Sequence, residues 1–442
     1  MNLRRYRSVL LVLTLIVAAS YFPSSTARGD EPTLDQLKVE LRDQDPKVRK
    51  KAAQQLGATR SREAVPPLLA AASDPDVEVR EEVVKALGLL KDESAITMLL
   101  TTLKDRSDSV REESIIALVN LYADRDAGFS ITRIAKKVYR KINVFSDKVG
   151  NDPLVIESYV RVAPAVIDGL SDRLFDSSMA IRVGAAKALG ILRAKPALPR
   201  MIEAMKTGDS NVRVAILRSL YKIRDASVDS EILIYLNDQD KGVRDETILT
   251  LGLLRSTAAL PAIRRLYDEN PDTKLRLRAF QAISLIGDPS SLDLFRRLLK
   301  DPDAIYRQYA AEGMARVGDP IDVEDVSRAF LGEKKFNVQL ALSYALYRMG
   351  RQEYLDRLVS GLSERMHYEQ AGSYLIELGQ PVSGELTRHL NHPDARVRVQ
   401  LCRVLGLIGD SSAIPHLKPL LQDSNKDVIS EAALAIRRLG AS

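Results

Sequence analysis

The sequence predicts an all-α protein, an α-α superhelix of about 12–13 two-helix repeats. One short pattern recurs at steps of 31 or 32 residues, with two larger gaps, and the Val/Ile/Thr alternation that would indicate β-strands is missing. The pattern is marked by an arginine at Arg49, Arg80, Arg111, Arg182, Arg213, Arg244, Arg276, Arg307 and Arg398. A fixed period of this length predicts stacked units, each of which buries its apolar face only against its neighbours.

Each unit is predicted to form two helices. The second helix begins after an acidic residue such as Asp76, because a carboxylate can accept the free amide hydrogens of a helix N-terminus. The first helix of the next unit begins near Ala-x-Pro, as at Ala259-Leu260-Pro261, where the amide hydrogen that proline lacks would have no partner. A glycine is predicted to end the second helix in the left-handed conformation, either Gly190 or a later residue such as Gly287.

These motifs resemble the HEAT-like repeats of the short-period class named after the phycobilisome lyases. The resemblance covers nearly all of the chain after residue 33 and implies a ladder of hydrogen bonds between aspartates and arginines of consecutive repeats. The corresponding residues are Asp76, Arg80, Asp209, Arg213, Asp240, Arg244, Asp272, Arg276, Asp303 and Arg307. Loss of Arg244 is therefore expected to leave a buried aspartate without its partner. The family serves many unrelated functions, so the resemblance predicts the fold and leaves the function open.

Residues 33–442 are predicted to form one continuous array of repeats, since no linker rich in Gly, Ser or Pro interrupts them. The largest irregularity is the interval between Arg111 and Arg182, which is longer than two steps of the repeat. A degenerate, enlarged repeat at 122–162 is expected to fill this interval.

The first 27 residues are predicted to be a secretory signal peptide. A basic start is followed by an apolar run over residues 8–22, and Ser25-Thr26-Ala27 places small residues where a signal peptidase cleaves. The run is shorter than the roughly 20 residues that span a bilayer comfortably. We therefore expect cleavage after Ala27 and an exported protein, either periplasmic or secreted. An uncleaved, membrane-anchoring N-terminal segment is the alternative.

Charge and reactive side chains favour a protein without catalysis. Half of the net charge of +6 comes from three arginines of the signal peptide, which leaves an ordinary charged surface and no reason to expect nucleic acid. His389 and His392 lie three residues apart, but a proline follows His392, so both are expected in an exposed turn and no metal site is predicted. Cys402 replaces the alanine of other copies, which indicates a small buried side chain. No cofactor is expected.

A basic stripe in the enlarged repeat is one predicted site of interaction. Lys136, Lys137, Arg140 and Lys141 are expected on the outward face of an amphipathic helix. Such a face fits an acidic partner or an anionic membrane surface. The alternative is a surface helix whose basic face only meets solvent.

An aromatic-rich stretch is the other predicted site. Residues 306–374 contain a disproportionate share of the aromatic side chains, and the arginine of the pattern is replaced there. Tyr309 and Tyr344 are predicted to lie on the concave face as anchors for a partner, with Tyr347 and Tyr368 as neighbours. The alternative is that these rings fill gaps between irregular repeats.

The concave face is also predicted to vary in charge along the array. The two residues that follow the arginine are acidic at Glu81-Glu82, Glu112-Glu113 and Asp245-Glu246, and apolar at Val183-Gly184 and Val214-Ala215. Varied inner positions on a regular frame are typical of a protein-binding array. Neutral drift of these positions is the alternative.

From the sequence we expect an exported, monomeric scaffold that binds another protein with its concave surface and has no catalytic activity. The identity of that partner is open. Two other classes remain possible: an enzyme of the bilin-lyase type or another type on the same frame, and a scaffold on a membrane surface that uses the basic stripe.

Overall fold

The computed structural model describes residues 32–122, 155–157 and 159–440, which form an all-α superhelix of twelve two-helix repeats. These residues contain no β-strand, and the predicted fold class and repeat number are confirmed. The first helices of the repeats are α1 (Leu34–Glu40), α3 (Val65–Ala71), α5 (Ile96–Thr102), α7 (Pro164–Asp172), α9 (Leu198–Thr207), α11 (Asp229–Ile232), α13 (Leu260–Glu269), α15 (Leu292–Leu298), α17 (Val323–Gly332), α19 (Leu355–Gly361), α21 (Ser383–Thr387) and α23 (Ile414–Leu417). The second helices are α2 (Pro46–Ala58), α4 (Val77–Leu90), α6 (Asp108–Tyr122), α8 (Met179–Ile191), α10 (Ser210–Ile223), α12 (Lys241–Leu253), α14 (Thr273–Ile286), α16 (Ala304–Val317), α18 (Phe336–Arg348), α20 (Tyr368–Leu378), α22 (Ala395–Ile408) and α24 (Lys426–Gly440).

The helix starts are those that the sequence predicts. The Asp76 carboxylate accepts hydrogen bonds from the amides of Glu78 and Val79, at 2.9 and 3.2 Å, and so caps α4. Pro261 lies in the first turn of α13, where its missing amide hydrogen removes no helical hydrogen bond.

Glycines inside the second helices let neighbouring helices approach closely. A Cβ atom on Gly88 would lie 2.7 Å from Cα of Ala117, and one on Gly190 would lie 2.6 Å from Cβ of Ser219. The prediction that Gly190 ends its helix is therefore wrong, because Gly190 is a packing residue within α8. Gly287 does end α14 in the left-handed conformation, with φ of 66°.

The repeats on either side of the predicted enlarged repeat are direct neighbours. Arg111 of α6 donates to Asp176, which precedes α8, at 2.9 Å, and a Cβ on Gly184 of α8 would lie 3.6 Å from Ile115 of α6. The predicted enlarged repeat at 122–162 stays a prediction, because most of its residues are not described. Residues 123–154 and 158 lie outside the described residues.

Two contacts across the superhelix show that the second helices line its inner side. The guanidinium of Arg255, after α12, is paired with Glu377 of α20. Arg438 of α24 donates to both carboxylate oxygens of Glu157, at 2.8 and 2.6 Å, and the backbone at Ile156 is hydrogen-bonded to the end of α8. Helices four and more repeats apart can meet only on the inside of the curve. The inner space is therefore narrow at the C-terminal ends of the second helices.

The predicted signal peptide lies outside the described residues, which begin at Pro32. Within the described helices, none combines the length and the apolar character that crossing a membrane requires.

Candidate interaction surface

An arginine ladder joins consecutive repeats. Arg80 of α4 donates to both carboxylate oxygens of Asp105 in the next repeat, at 2.8 and 3.0 Å, and to the carbonyls of Asp74 and Pro75 in its own turn. The same kind of contact joins further pairs: Arg49–Asp74, Arg111–Asp176, Arg182–Asp209, Arg213–Asp238, Arg307–Glu333 and Arg398–Asp423. Each arginine thus fixes the turn before its own helix to the turn of the following repeat.

The acidic side of this ladder differs from the prediction. Apart from Asp209, the predicted aspartates are helix caps: Asp76, Asp240, Asp272 and Asp303 accept from backbone amides at the starts of α4, α12, α14 and α16. The ladder carboxylate usually stands two residues earlier, as Asp74 does. Asp209 accepts both from Arg182 and from the amides of α10.

Two predicted ladder arginines have other partners. Arg244 donates to the carbonyls of Asp238 and Gln239, and no ion pair to a carboxylate is found for it among the described residues. The expected buried aspartate is absent because the ladder position of the next repeat holds Asn270. Arg276 donates to the carbonyl of Tyr267, and its guanidinium stands 5.3 Å from the centre of that ring.

Tyr309 and Tyr344 are buried, and the prediction that they lie exposed on the concave face is wrong. Their exposed fractions are 4% and 1%. Tyr309 packs 6.4 Å from Phe280, and Tyr344 stacks on Tyr374 with ring centres 4.7 Å apart. The rings fill the space between repeats, which is the alternative that the sequence also allowed.

The other predicted contact residues are either half-buried or outside the described residues. Tyr347 and Tyr368 are half-buried, and their hydroxyls are hydrogen-bonded to Glu385 and Glu369, each at 3.3 Å. The predicted basic stripe Lys136, Lys137, Arg140 and Lys141 lies outside the described residues. Tyr122 is the last described residue before these positions, and its hydroxyl accepts from the amide of Ala163 at 3.1 Å.

A polar network fills the inner space of the C-terminal repeats. Arg316 of α16 donates to both oxygens of Glu377, at 2.9 and 3.1 Å, and to the carbonyl of Ser284 at 3.1 Å. The hydroxyl of Tyr374 donates to Glu312. Because α14, α16 and α20 are tied together here, this part of the inner face is closed by the protein's own side chains.

The helices α4 and α6 carry an acidic zone, which we define as Glu81, Glu82, Glu112 and Glu113. Burial raises the pKa of Glu113 to about 7, and the neighbouring carboxylates add to this rise against the opposing charge of Lys85. Lys85 lies 3.5 Å from Glu82. The sequence identified this zone correctly as acidic, and the packing brings its members into electrostatic contact.

The helices α8 and α10 carry a basic zone, which we define as Lys187, Arg193, Arg218, Lys222 and Arg224. Desolvation lowers the pKa of the half-buried Lys187, and the charges of Arg218 and Lys222 lower it further. Arg224 is exposed, yet desolvation by surrounding protein lowers its pKa, and the charge of Arg193 lowers it further. Like charges are thus concentrated where little water can screen them.

The sequence reasoning missed the basic zone because it considered only the two residues after each ladder arginine. Lys187 and Arg218 stand five residues after the arginine, Lys222 nine, and Arg193 and Arg224 eleven. Aligning the copies at these offsets would have shown the basic residues.

The reactive side chains do not converge. Cys402 is completely buried, and burial raises the pKa of its thiol to about 12. Nδ1 of His392 accepts from the amide of Asp394 at 3.1 Å, in the turn that the sequence predicts. In residues 32–122, 155–157 and 159–440, no three His, Cys, Asp or Glu side chains are grouped to hold a metal ion.

Paired helices, a repeated Asp cap and an arginine ladder define an α-solenoid. The chain belongs to the HEAT-repeat family: the family model described as HEAT repeats matches residues 34–119, 230–308 and 383–442, about half of the chain. The model described as PBS lyase HEAT-like repeat matches residues 181–207. Both matches agree with the resemblance that the sequence motifs indicate.

Several solved structures are similar to this chain at low identity. An engineered protein is 18% identical over 93% of this chain and 99% of its own, with a TM-score of 0.37. The Escherichia coli protein YibA is 18% identical over 64% of this chain and 92% of its own, with a TM-score of 0.41. The complex of CpcE and CpcF of phycocyanin lyase from Nostoc sp. is 20% identical over 60% of this chain and 91% of that chain, with a TM-score of 0.30. Values this low carry no argument about function. Among curated proteins, none matches the chain.

Proposed function

We propose that this HEAT-repeat protein is an exported, non-catalytic scaffold that binds another protein with the inner face of its solenoid. The observation that carries the proposal is the presence of two zones of opposite charge on neighbouring second helices. The acidic zone lies on α4 and α6 and the basic zone on α8 and α10, and α6 and α8 are neighbours.

Charges arranged in this way favour recognition of a complementary surface. Opposite charges that neighbour each other on one face could neutralise each other by direct pairing. Here, however, burial and like charges shift the pKa values of Glu113 and Lys187 away from their ionised forms. A partner with the opposite order of charges would stabilise the ionised forms of both groups, and it would also fix the register of binding.

Absence of catalysis is proposed from the state of the reactive groups. A thiol whose pKa is raised to about 12 is a poor nucleophile at neutral pH, which argues against a role for Cys402 in covalent chemistry. Of the four histidines, only His389 and His392 share a turn, between α21 and α22, and the described residues place no third metal-ligating side chain with them.

Affinity capture tests the proposal. The full chain with a C-terminal tag is expressed in the cells that make it, and co-purifying proteins are identified by mass spectrometry. The variant Glu81→Lys/Glu112→Lys should lose the partner. The matched control Glu63→Lys/Glu93→Lys changes the same charge on the first-helix side of the same region, where both residues are exposed, and should retain it. Capture of the partner by all three proteins, or by none, would contradict the proposal.

Export has its own test. N-terminal sequencing of the native protein should begin at Arg28, directly after the proposed cleavage site. A native chain that begins at residue 1 or 2 and sediments with membranes would favour the membrane-anchored alternative.

A further inference from the structure

A cleft of about 510 Å³ lies between the repeat of α15 and α16 and the repeat of α17 and α18. We call it the lateral cleft, and one pair of the ladder, Arg307 and Glu333, lies in its wall. Buried apolar side chains form its floor, and exposed lysines stand at its rim. The floor contains Leu299, Met314, Val338 and Leu342, and the rim contains Lys300, Lys334 and Lys335. None of these residues belongs to the acidic zone or the basic zone, so the lateral cleft is separate from the surface of the proposed function.

Small residues of α17 help to keep the lateral cleft open. Ala329 and Gly332 line it on the side of this helix. A Cβ on Gly332 would have no atom within 4 Å beyond the adjoining residues and the backbone of its own helix. The same position, directly before the ladder carboxylate, holds larger residues in other repeats, such as Phe175 and Asn237. A large side chain at residue 332 should therefore fill part of the cleft.

The rim of the lateral cleft has an excess of positive charge. The other charged side chains of its lining are ion-paired: Arg307 with Glu333, Arg328 with Asp325, and Arg296 with Asp293 and Asp322. Lys300, Lys334 and Lys335 form no ion pair with the described part of the chain. Three positive charges are thus left beside an apolar floor.

One of these lysines stands where positive charge is unfavourable. Lys335 directly precedes α18, at the cap position that Asp76, Asp240 and Asp303 hold in other repeats, and its side chain caps no amide. The start of a helix carries a partial positive charge, so aspartate stabilises it and lysine does not. An anion bound beside Lys334 and Lys335 would offset this repulsion.

The floor determines what the rest of the ligand can be. Its leucine, valine and methionine side chains offer no strong hydrogen-bond donor or acceptor. A peptide backbone that entered the cleft would lose hydrogen bonds to water without replacing them, whereas a hydrocarbon chain has none to lose. A dry cavity of about 150 Å³ already accepts benzene, so the lateral cleft has room for a longer chain.

We infer that the lateral cleft binds a free long-chain fatty acid. The hydrocarbon chain lies on the apolar floor, and the carboxylate is held by the lysines of the rim. This inference goes beyond the proposed function and does not depend on it, because the two surfaces share no residue.

The test is isothermal titration calorimetry of the purified full chain with dodecanoate. Dodecanol, dodecylammonium, a lysophosphatidylglycerol with the same chain and an acidic peptide that contains leucine are compared in parallel. The variant Gly332→Phe fills the cleft with the residue that Phe175 places at the equivalent position, and Lys334→Gln/Lys335→Gln removes two charges of the rim. The matched control Lys47→Gln/Lys104→Gln removes two exposed lysines of the N-terminal repeats.

Wild type and control should bind one dodecanoate per chain with equal affinity. Gly332→Phe should weaken binding about tenfold or more, because each methylene that is kept out of the cleft lowers affinity severalfold. The lysine variant should weaken it about fivefold, as expected for two exposed ion pairs. Dodecanol should bind more weakly than dodecanoate, and dodecylammonium more weakly still.

Equal affinity of all four proteins for dodecanoate, or no binding to wild type, would overturn the inference. So would tighter binding of dodecylammonium, the lysophospholipid or the peptide than of dodecanoate. Circular dichroism checks that each variant is folded. If Gly332→Phe does not fold, the lysine variant and its matched control decide the outcome, because all four lysines are exposed.

Discussion

The arginine ladder predicts a large and local loss of stability on substitution of Arg80. The side chains of Arg80 and Asp105 are 6% and 12% exposed, so Arg80→Ala leaves a buried carboxylate without its cation. Breaking a well-buried pair costs about 3–5 kcal/mol, and water can reach a carboxylate that retains some exposure. We therefore expect a loss of about 2–4 kcal/mol in the free energy of unfolding.

The variant Arg244→Ala separates the contribution of the ladder ion pair from that of the hydrogen bonds to backbone carbonyls. Arg244 donates to the carbonyls of its own turn, like Arg80, but has no ladder carboxylate in the described chain. Its loss should cost only about 1 kcal/mol, the usual net value of hydrogen bonds of this kind. Asp105→Asn should recover part of the loss when it is added to Arg80→Ala, because a neutral amide is less costly to bury than a carboxylate.

Urea denaturation followed by circular dichroism gives the overall free energies, and hydrogen exchange of the α4 and α6 amides reports whether the loss is local. Both are needed because repeat arrays do not always unfold in one step. Equal losses for Arg80→Ala and Arg244→Ala, or no recovery with Asp105→Asn, would refute the reasoning.

Three further predictions follow from buried groups. Glu113→Gln should stabilise the protein at pH 8 by up to about 3 kcal/mol and leave its stability unchanged at pH 4 in urea titrations. The reason is that folding raises the pKa of Glu113 from 4.5 to about 7, so the stability of the wild type falls as the pH rises between these two values. Tyr344→Ala should cost about 3–5 kcal/mol in the same titrations, since it removes a buried ring stacked on Tyr374; a melting curve equal to that of wild type would contradict the burial of this ring. The hydrogen bond from Arg398 lowers the pKa of Asp423, so its stabilising effect is present at neutral pH and lost as pH falls below about 4, and Asp423→Asn should make acid unfolding less steep.

The fold was predictable because the same residues recur at steps of 31 or 32 positions, at the helix starts and at the contacts between repeats. The recurring arginine, the acidic cap and the proline of the first helix all lie at fixed offsets, and each has a local physical role. The register of the ladder was not predictable in the same way. Asp74 and Asp76 share one turn, and only the three-dimensional arrangement shows that Asp74 meets Arg49, at 2.7 Å, whereas Asp76 caps α4.

The candidate site was less predictable because neighbouring helical positions face different surroundings. Tyr309 stands two residues after its ladder arginine, where Glu82 and Glu113 stand in other repeats, yet its ring is turned against Phe280 in the core. The excess of tyrosine in the sequence signalled irregular packing. The charge of Lys187 and Arg224 becomes informative only when the helices that enclose them are known.

Photo-crosslinking in the cells that make the protein tests most directly whether the inner face binds a partner. A photoreactive phenylalanine analogue at Leu89 lies on the inner side of α4, at the nine-residue offset of Arg316, and Leu89 is 50% exposed. The same analogue at Ile321, which is 76% exposed and precedes the first helix α17, samples the outer side. We predict one discrete crosslinked protein at Leu89 and none at Ile321. A crosslink to the same protein only at Ile321, or no crosslink at either position, would contradict binding by the inner face.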